Sequence, residues 1–219
     1  ALTGSFGSSI IERALIDAAG KAVECNYHTL VKKNLLGIDA GLVHAELAGR
    51  DITDAIPNVP AQSIAVRHTV GLGDPISDAD IATADRLNDG IPQSVEAWIR
   101  EAGVRYFKVK VCANLDIDKP RLVAIATLLD AALPGAYHLT LDGNEQFHNV
   151  DELRAWYGAL RESGALRNLL SRVLLLEQPI ERSAALSDAG AQGLSGATEL
   201  PPVIIDESDD NVDAFKEAA

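Results

Sequence analysis

The sequence has no methionine, only two cysteines, and far fewer basic than acidic side chains, 19 against 32. With no initiator Met, Ala1 reads as an internal position of a longer protein. Cys25 and Cys112 are too few for a disulfide framework and do not form a C-x-x-C pair, which points to a reducing compartment and a cytoplasmic location. A formal net charge of −13 excludes the basic surface that nucleic-acid binding requires. No apolar run approaches the ~20 residues of a membrane span, and no signal peptide opens the chain. Neither nucleic acid nor membrane is therefore an expected partner. G-x-S-x-G, P-loop and H-E-x-x-H motifs are missing too, and "GLGDPI" (71–76) is no dinucleotide fingerprint.

What is present is a globular composition. Of 219 residues, 47% are hydrophobic and 23% charged, enough for a substantial core. Residues 8–23 carry apolar side chains at Ile10, Ile11, Ala14, Leu15, Ala18, Ala19 and Ala22, the period of a helix with a broad buried face. Residues 26–60 are mixed. From residue 62 the pattern alternates. Strands are expected at 63–72, 105–111, 137–142, 171–177 and 201–206. Helices are expected at 93–104, 118–133 (with Pro120 in the first turn), 149–163, 184–192 and 211–218. Five strand–helix units in series imply a parallel sheet with helices outside it.

Within "YFKVKV" (106–111), Lys108 and Lys110 share one side of the strand, opposite Phe107, Val109 and Val111. Two buried ammonium groups repel and need compensation. Charged residues then recur at strand ends. Lys110, Asp142, Glu177 and Asp206 are spaced by 32, 35 and 29 residues. A (β/α)₈ barrel of roughly 250 residues has about 31 per unit, and its catalytic face is the C-terminal end of the strands. Alternation puts His138, Thr140 and Asp142 on one face. It sets Leu174 and Leu176 opposite Glu177, and Val203 and Ile205 opposite Asp206. Three converging carboxylates call for a cation, and an all-oxygen set suits Mg²⁺.

These motifs, "FKVKV", "LDGNEQF", "LLLEQPI" and "PVIIDES", in that order and each on its own strand, resemble the enolase superfamily in its mandelate-racemase and muconate-lactonising branch. "SSIIERALIDAAGKAV" resembles the first helix of that family's capping domain. The resemblance implies an α/β fold: a TIM-like (β/α)-barrel, incomplete at its C-terminal side, over residues 61–219, preceded by part of an α+β capping domain over 1–60. It implies that Asp142, Glu177 and Asp206 hold Mg²⁺, with Mn²⁺ as a substitute. Lys110 matches the acid/base, and Lys108 the residue that supports the substrate carboxylate. Asn144 matches a polar residue beside the metal, and Glu207 an acid behind it. The implied reaction is removal of the proton α to a carboxylate through an enediolate, by a lyase or isomerase (dehydratase, cycloisomerase, racemase or epimerase). The implied substrate is a small carboxylate and the implied assembly of the full-length protein a homo-oligomer. For Lys110 to act as base its pKa must fall from ~10.4 toward 7–8, and a neighbouring ammonium pushes that way.

The sequence departs from the family in two ways. The gap between Asp142 and Glu177 is long, with the extra length expected around 163–172, away from the site. The chain also ends before the strands that would supply the partner base, so it reads as a fragment. Two other readings stand beside the first. One is a Schiff-base lysine barrel, in which the three acids have no task. The other is a truncated, non-catalytic barrel. His68 and His138 read as hydrogen-bonded core residues, His148 as a solvated loop residue, Trp98 and Trp156 as helical core, and Tyr106 as barrel filling.

Overall fold

A computed structural model describes residues 2–218. Its backbone divides into two compact units, Ala1–Ile64 and Ala65–Ala219.

In the first unit, α1 (Leu2–Ala22) is followed by α2 (Tyr27–Lys32) and three short 3₁₀ turns, with no strand among its described residues. Asn26 caps α2 by accepting from the Thr29 amide at 2.9 Å. Lys32 ties α2 to the last 3₁₀ turn through the carbonyls of Thr53 and Ile56, at 2.7 and 2.8 Å. The apolar face expected to be buried on α1 is open, with Ile11 and Leu15 63 and 64% exposed. Periodicity states which side of a helix seeks burial and not what supplies it.

The second unit is built on five parallel strands, β1 (Arg67–Val70), β2 (Tyr106–Lys110), β3 (His138–Asp142), β4 (Val173–Glu177) and β5 (Val203–Ile204), adjacent in chain order. Between them run α3 (Val95–Ala102), α4 (Leu115–Ala132), α5 (Val150–Arg161), α6 (Arg167–Leu170), α7 (Arg182–Ala185) and α8 (Asp188–Ser195), and α9 (Ala214–Ala218) follows β5. Phe107, Val109, Leu139, Leu141 and Leu176 on one face of the sheet join Ile125 and Leu129 of α4 and Leu153 and Leu160 of α5 in a single core. The other face carries the polar side chains. Strands in sequential order with the core helices on one face are wound as in a (β/α)-barrel, here through five strands.

Local chemistry explains where the elements differ from expectation. Asn114 accepts from the Asp116 amide at 3.0 Å and starts α4 at Leu115, so Pro120 lies one turn inside the helix. Buried Asp118 accepts from the Trp156 indole and the Cys112 amide, each at 3.0 Å, joining α4, α5 and the end of β2. The single helix expected at 184–192 is two, α7 and α8, with Ser187 capping the second. The extra residues at 163–172 form a 3₁₀ turn and α6, whose Leu166 and Leu169 join the core on the helix side.

β4 departs most from simple alternation. Leu139 pairs with Val173 but Thr140 with Leu175, so Leu174 is an inserted residue. Such a bulge shifts the face of everything before it. Val173 therefore packs on the core, and Leu174, expected inside, is 49% exposed.

Candidate active site

The register brings the charged strand ends together. Lys110 is opposite Asp142, and Asp142 is opposite Glu177. Lys108 lies one layer below, level with Thr140, and Arg67 and Tyr106 one layer below that. All of these side chains stand on the face away from the helices; Lys110, Asp142 and Glu177 are the last residues of their strands, whereas Arg67 and Tyr106 are the first of theirs.

The ammonium groups are compensated by carboxylates. Lys108 Nζ lies 2.7 Å from Asp142 Oδ2 and also donates to Glu177 Oε1. Lys110 Nζ lies 2.6 Å from the same Asp142 oxygen and also donates to Asn144 Oδ1. Asn144 in turn donates from Nδ2 to Glu207 Oε1 at 2.7 Å, so its carboxamide holds the base candidate on one side and an acid on the other. Asp142 Oδ1 accepts from the Asn144 amide at 3.0 Å.

The electrostatics follow from these contacts. Burial works to raise the Asp142 carboxyl, but hydrogen bonds from Lys108, Lys110 and the Asn144 amide outweigh it and hold it below the usual carboxylate range. Burial works to lower Lys108, yet its hydrogen bonds to Asp142 and Glu177 win and raise it above an ordinary lysine. For Lys108, contact with two carboxylates outweighs burial and any repulsion from the neighbouring ammonium.

The predicted ligand set is brought together in part. Asp142 and Glu177 meet on Lys108, and Asp206 lies two residues beyond the Glu177–Ile204 pair, exposed. Among the described residues, no three His, Cys, Asp or Glu side chains gather in a cation-holding cluster. The donor chemistry nevertheless fits a hard cation. Glu177 Oε2 and Glu207 Oε2 are buried without a hydrogen bond. Partial desolvation, then the like charges of Glu207 and Glu177, hold the Asp206 carboxyl above the usual range. All the candidate ligands are carboxylate oxygens, as Mg²⁺ prefers.

The turns that carry these residues are pressed against each other. The Gly143 amide donates to the Glu177 carbonyl at 3.0 Å, and the Glu145 amide to that of Gln178 at 2.9 Å. A Cβ on Gly143 would lie 2.6 Å from Pro179 Cα, so only glycine fits. Asn144, Glu145 and Gln178 have φ of 41°, 66° and 32°, in the left-handed region where side chains other than Asn are uncommon.

Two residues escaped the sequence reading. Arg67, on β1, donates to Thr140 Oγ1 at 3.2 Å and lies 3.5 Å from the otherwise unbonded Glu177 Oε2. Its signal was available, since Arg67 and Thr69 are the polar alternates of that strand. Gln178, next to Glu177, is the other. His148 is exposed and bonded to Glu152 at 3.1 Å, as expected of a loop residue. His138 stacks on Tyr106, with ring centroids 5.7 Å apart, and its buried Nδ1 has no hydrogen bond, contrary to expectation. His68 packs on Trp98 instead, with centroids 4.9 Å apart.

No family model matches the chain, and no curated protein matches it. Solved structures do. An enolase from Bradyrhizobium, complexed with magnesium and mandelic acid, is 18% identical over 94% of this chain and 51% of its own, with a TM-score of 0.46. A mandelate racemase/muconate lactonizing enzyme from Roseiflexus sp. is 21% identical over 68% of this chain and 35% of its own (TM-score 0.41). A dipeptide epimerase from Methylococcus capsulatus, complexed with Mg ion, is 20% identical over 66% and 33% (TM-score 0.40). The chain spans about a third to a half of the length of these structures. At such identities and TM-scores the likeness carries neither a reaction nor a substrate to this chain.

Proposed function

We propose that this chain carries the base and the carboxylate cluster of a site that removes the proton α to a carboxylate. One observation carries the reading: two ammonium groups and two buried carboxylates meet at the C-terminal ends of neighbouring parallel strands. A structural ion-pair network has no need to converge on that end of the sheet, where barrels of this winding place their chemistry.

An α-proton beside a carboxylate is weakly acidic because its loss adds a second negative charge to an anion. Positive groups fixed where that charge develops lower the barrier. Asp142, Glu177 and Asp206 would hold a divalent cation, Mg²⁺ or Mn²⁺. When bound, it would supply positive charge to the developing dianion. Lys108 and Lys110 are two like charges on one face, and the proposed reaction needs one of them neutral to take the proton. Lys110, whose side chain is 25% exposed against 15% for Lys108, is the base. Lys108 stays charged and faces the carboxylate of the substrate. Asn144 and Glu207 fix the position of the Lys110 ammonium. Dehydration, cycloisomerisation and racemisation all begin with this step, and the substrate class is a small carboxylate.

The test is solvent exchange. In D₂O, with Mg²⁺ and a panel of small carboxylates that includes mandelate, the protein should incorporate deuterium at the α-carbon of its substrate, and Lys110→Ala should abolish that incorporation. Absence of exchange with every carboxylate, while Mg²⁺ is shown to bind, rejects the reading.

A further inference from the structure

β5 is two residues long, and its ladder to β4 ends where the Gln178 amide donates to the Ile204 carbonyl at 2.8 Å. The acids that matter come after that point. Asp206 and Glu207 are therefore not held by strand pairing. They are held by the side chain of Gln178, which is 1% exposed. Its Oε1 accepts from the Asp206 amide at 2.8 Å and from the Ser208 amide at 2.9 Å. Its Nε2 donates to the Ile180 carbonyl and to Ser208 Oγ, both at 2.8 Å. One carboxamide thus makes four hydrogen bonds, two as acceptor and two as donor, and spans the turn after β4 and the turn after β5.

The chemistry of the group explains the residue type. The site needs two acceptor lone pairs on one atom and two donors on the other, about the full capacity of an amide. A carboxylate would set an oxygen against the Ile180 carbonyl, and an apolar side chain would leave the buried Ser208 amide unbonded. The backbone of Gln178 itself sits at φ 32°, a conformation kept only where its surroundings over-determine it.

We propose that Gln178 is a positioning residue: its carboxamide continues the β4–β5 pairing beyond the last ladder bond and sets Asp206 and Glu207 just beyond the level of Asp142 and Glu177, beside Asn144. What that placement is for rests on the proposed function; the placement itself does not. Glu207 then reaches Asn144, and through it Lys110, so one buried amide aligns the third acid and supports the base.

The experiment uses Gln178→Met, which keeps the length and removes all four bonds, and Gln178→Glu, which keeps the acceptor oxygen and loses the donor. Two readouts are taken on the folded variants: hydrogen exchange of the Asp206 and Ser208 amides without metal, and Mg²⁺ affinity by calorimetry. Exchange at those two amides should quicken at least tenfold in Gln178→Met while amides of β2 and β3 keep their rates. Mg²⁺ should bind at least tenfold more weakly, with Gln178→Glu between Gln178→Met and the parent in both. If Gln178→Met does not fold, Gln178→Glu carries the comparison. Unchanged exchange at Asp206 and Ser208, or an Mg²⁺ Kd within twofold of the parent, overturns the proposal. A parent protein that takes no Mg²⁺ overturns the cation reading of the function instead, and the exchange rates then decide the role of Gln178 alone.

Discussion

The two faces of the sheet are built from the same strands and obey different rules. Toward the helices stand Phe107, Val109, Leu139, Leu141 and Leu176, all buried and all hydrocarbon. Toward the other side stand Arg67, Lys108, Lys110, Asp142 and Glu177, joined by ion pairs. On the first face, volume and burial decide what fits. On the second, the sign and position of charge decide. Because neighbouring residues on a strand point to opposite faces, the two sets of requirements interleave without sharing a side chain.

Substitutions on either face sharpen or break this division. The largest effect is expected from Phe107→Ala, which should cost about 3–5 kcal/mol in urea unfolding. A loss below about 1 kcal/mol would break the assignment of that face to the core.

Lys108→Met should come next. It leaves Asp142 and Glu177 facing each other without the ammonium between them, at about 3 kcal/mol. Mg²⁺ should then stabilise the variant more than the parent, since a cation restores the missing charge. The pH profile provides the sign. Lys108 is raised in the folded protein, so its contribution is complete below the unfolded lysine value of about 10.4 and is lost as pH rises through the higher folded value. The parent should show this alkaline loss and Lys108→Met should lack it. A variant as stable as the parent across that range would make the ion pairs ornamental.

The smallest effect tests the bulge. Leu174→Ala should cost less than about 1 kcal/mol and Leu176→Ala about 2–5, although the two leucines are equivalent by alternation. Equal losses would restore unbroken pairing between β3 and β4.

The site was more legible than its details. Alternation alone put Lys108, Lys110, Asp142 and Glu177 on one face, because a period of two leaves no other choice once the hydrophobic positions are known. The bulge at Leu174 was not legible, since an inserted residue alters pairing without altering composition. The compensation of the lysines was half legible. The need for a counter-charge follows from burial, but which carboxylate reaches which ammonium depends on side-chain lengths across strands. Gln178 was hidden by its neighbour: a glutamate at a strand end announces chemistry, while the amide beside it looks like an ordinary turn residue. The open face of α1 was illegible for another reason, since amphipathicity says nothing of the partner.

The contact of Gly143 with Pro179 has a mechanical meaning. The turns after β3 and β4 touch backbone to backbone, with no side chain between them to compress or rotate. Asp142 precedes the first turn and Glu177 the second, so the two carboxylates ride on one stiff coupling. The close approach and the hydrogen bonds between the two turns fix the positions of both strand ends together. The spacing between these acids is therefore inherited as a single dimension of the scaffold, and changes that retune the site must come from the more loosely held side, Asp206 and Glu207.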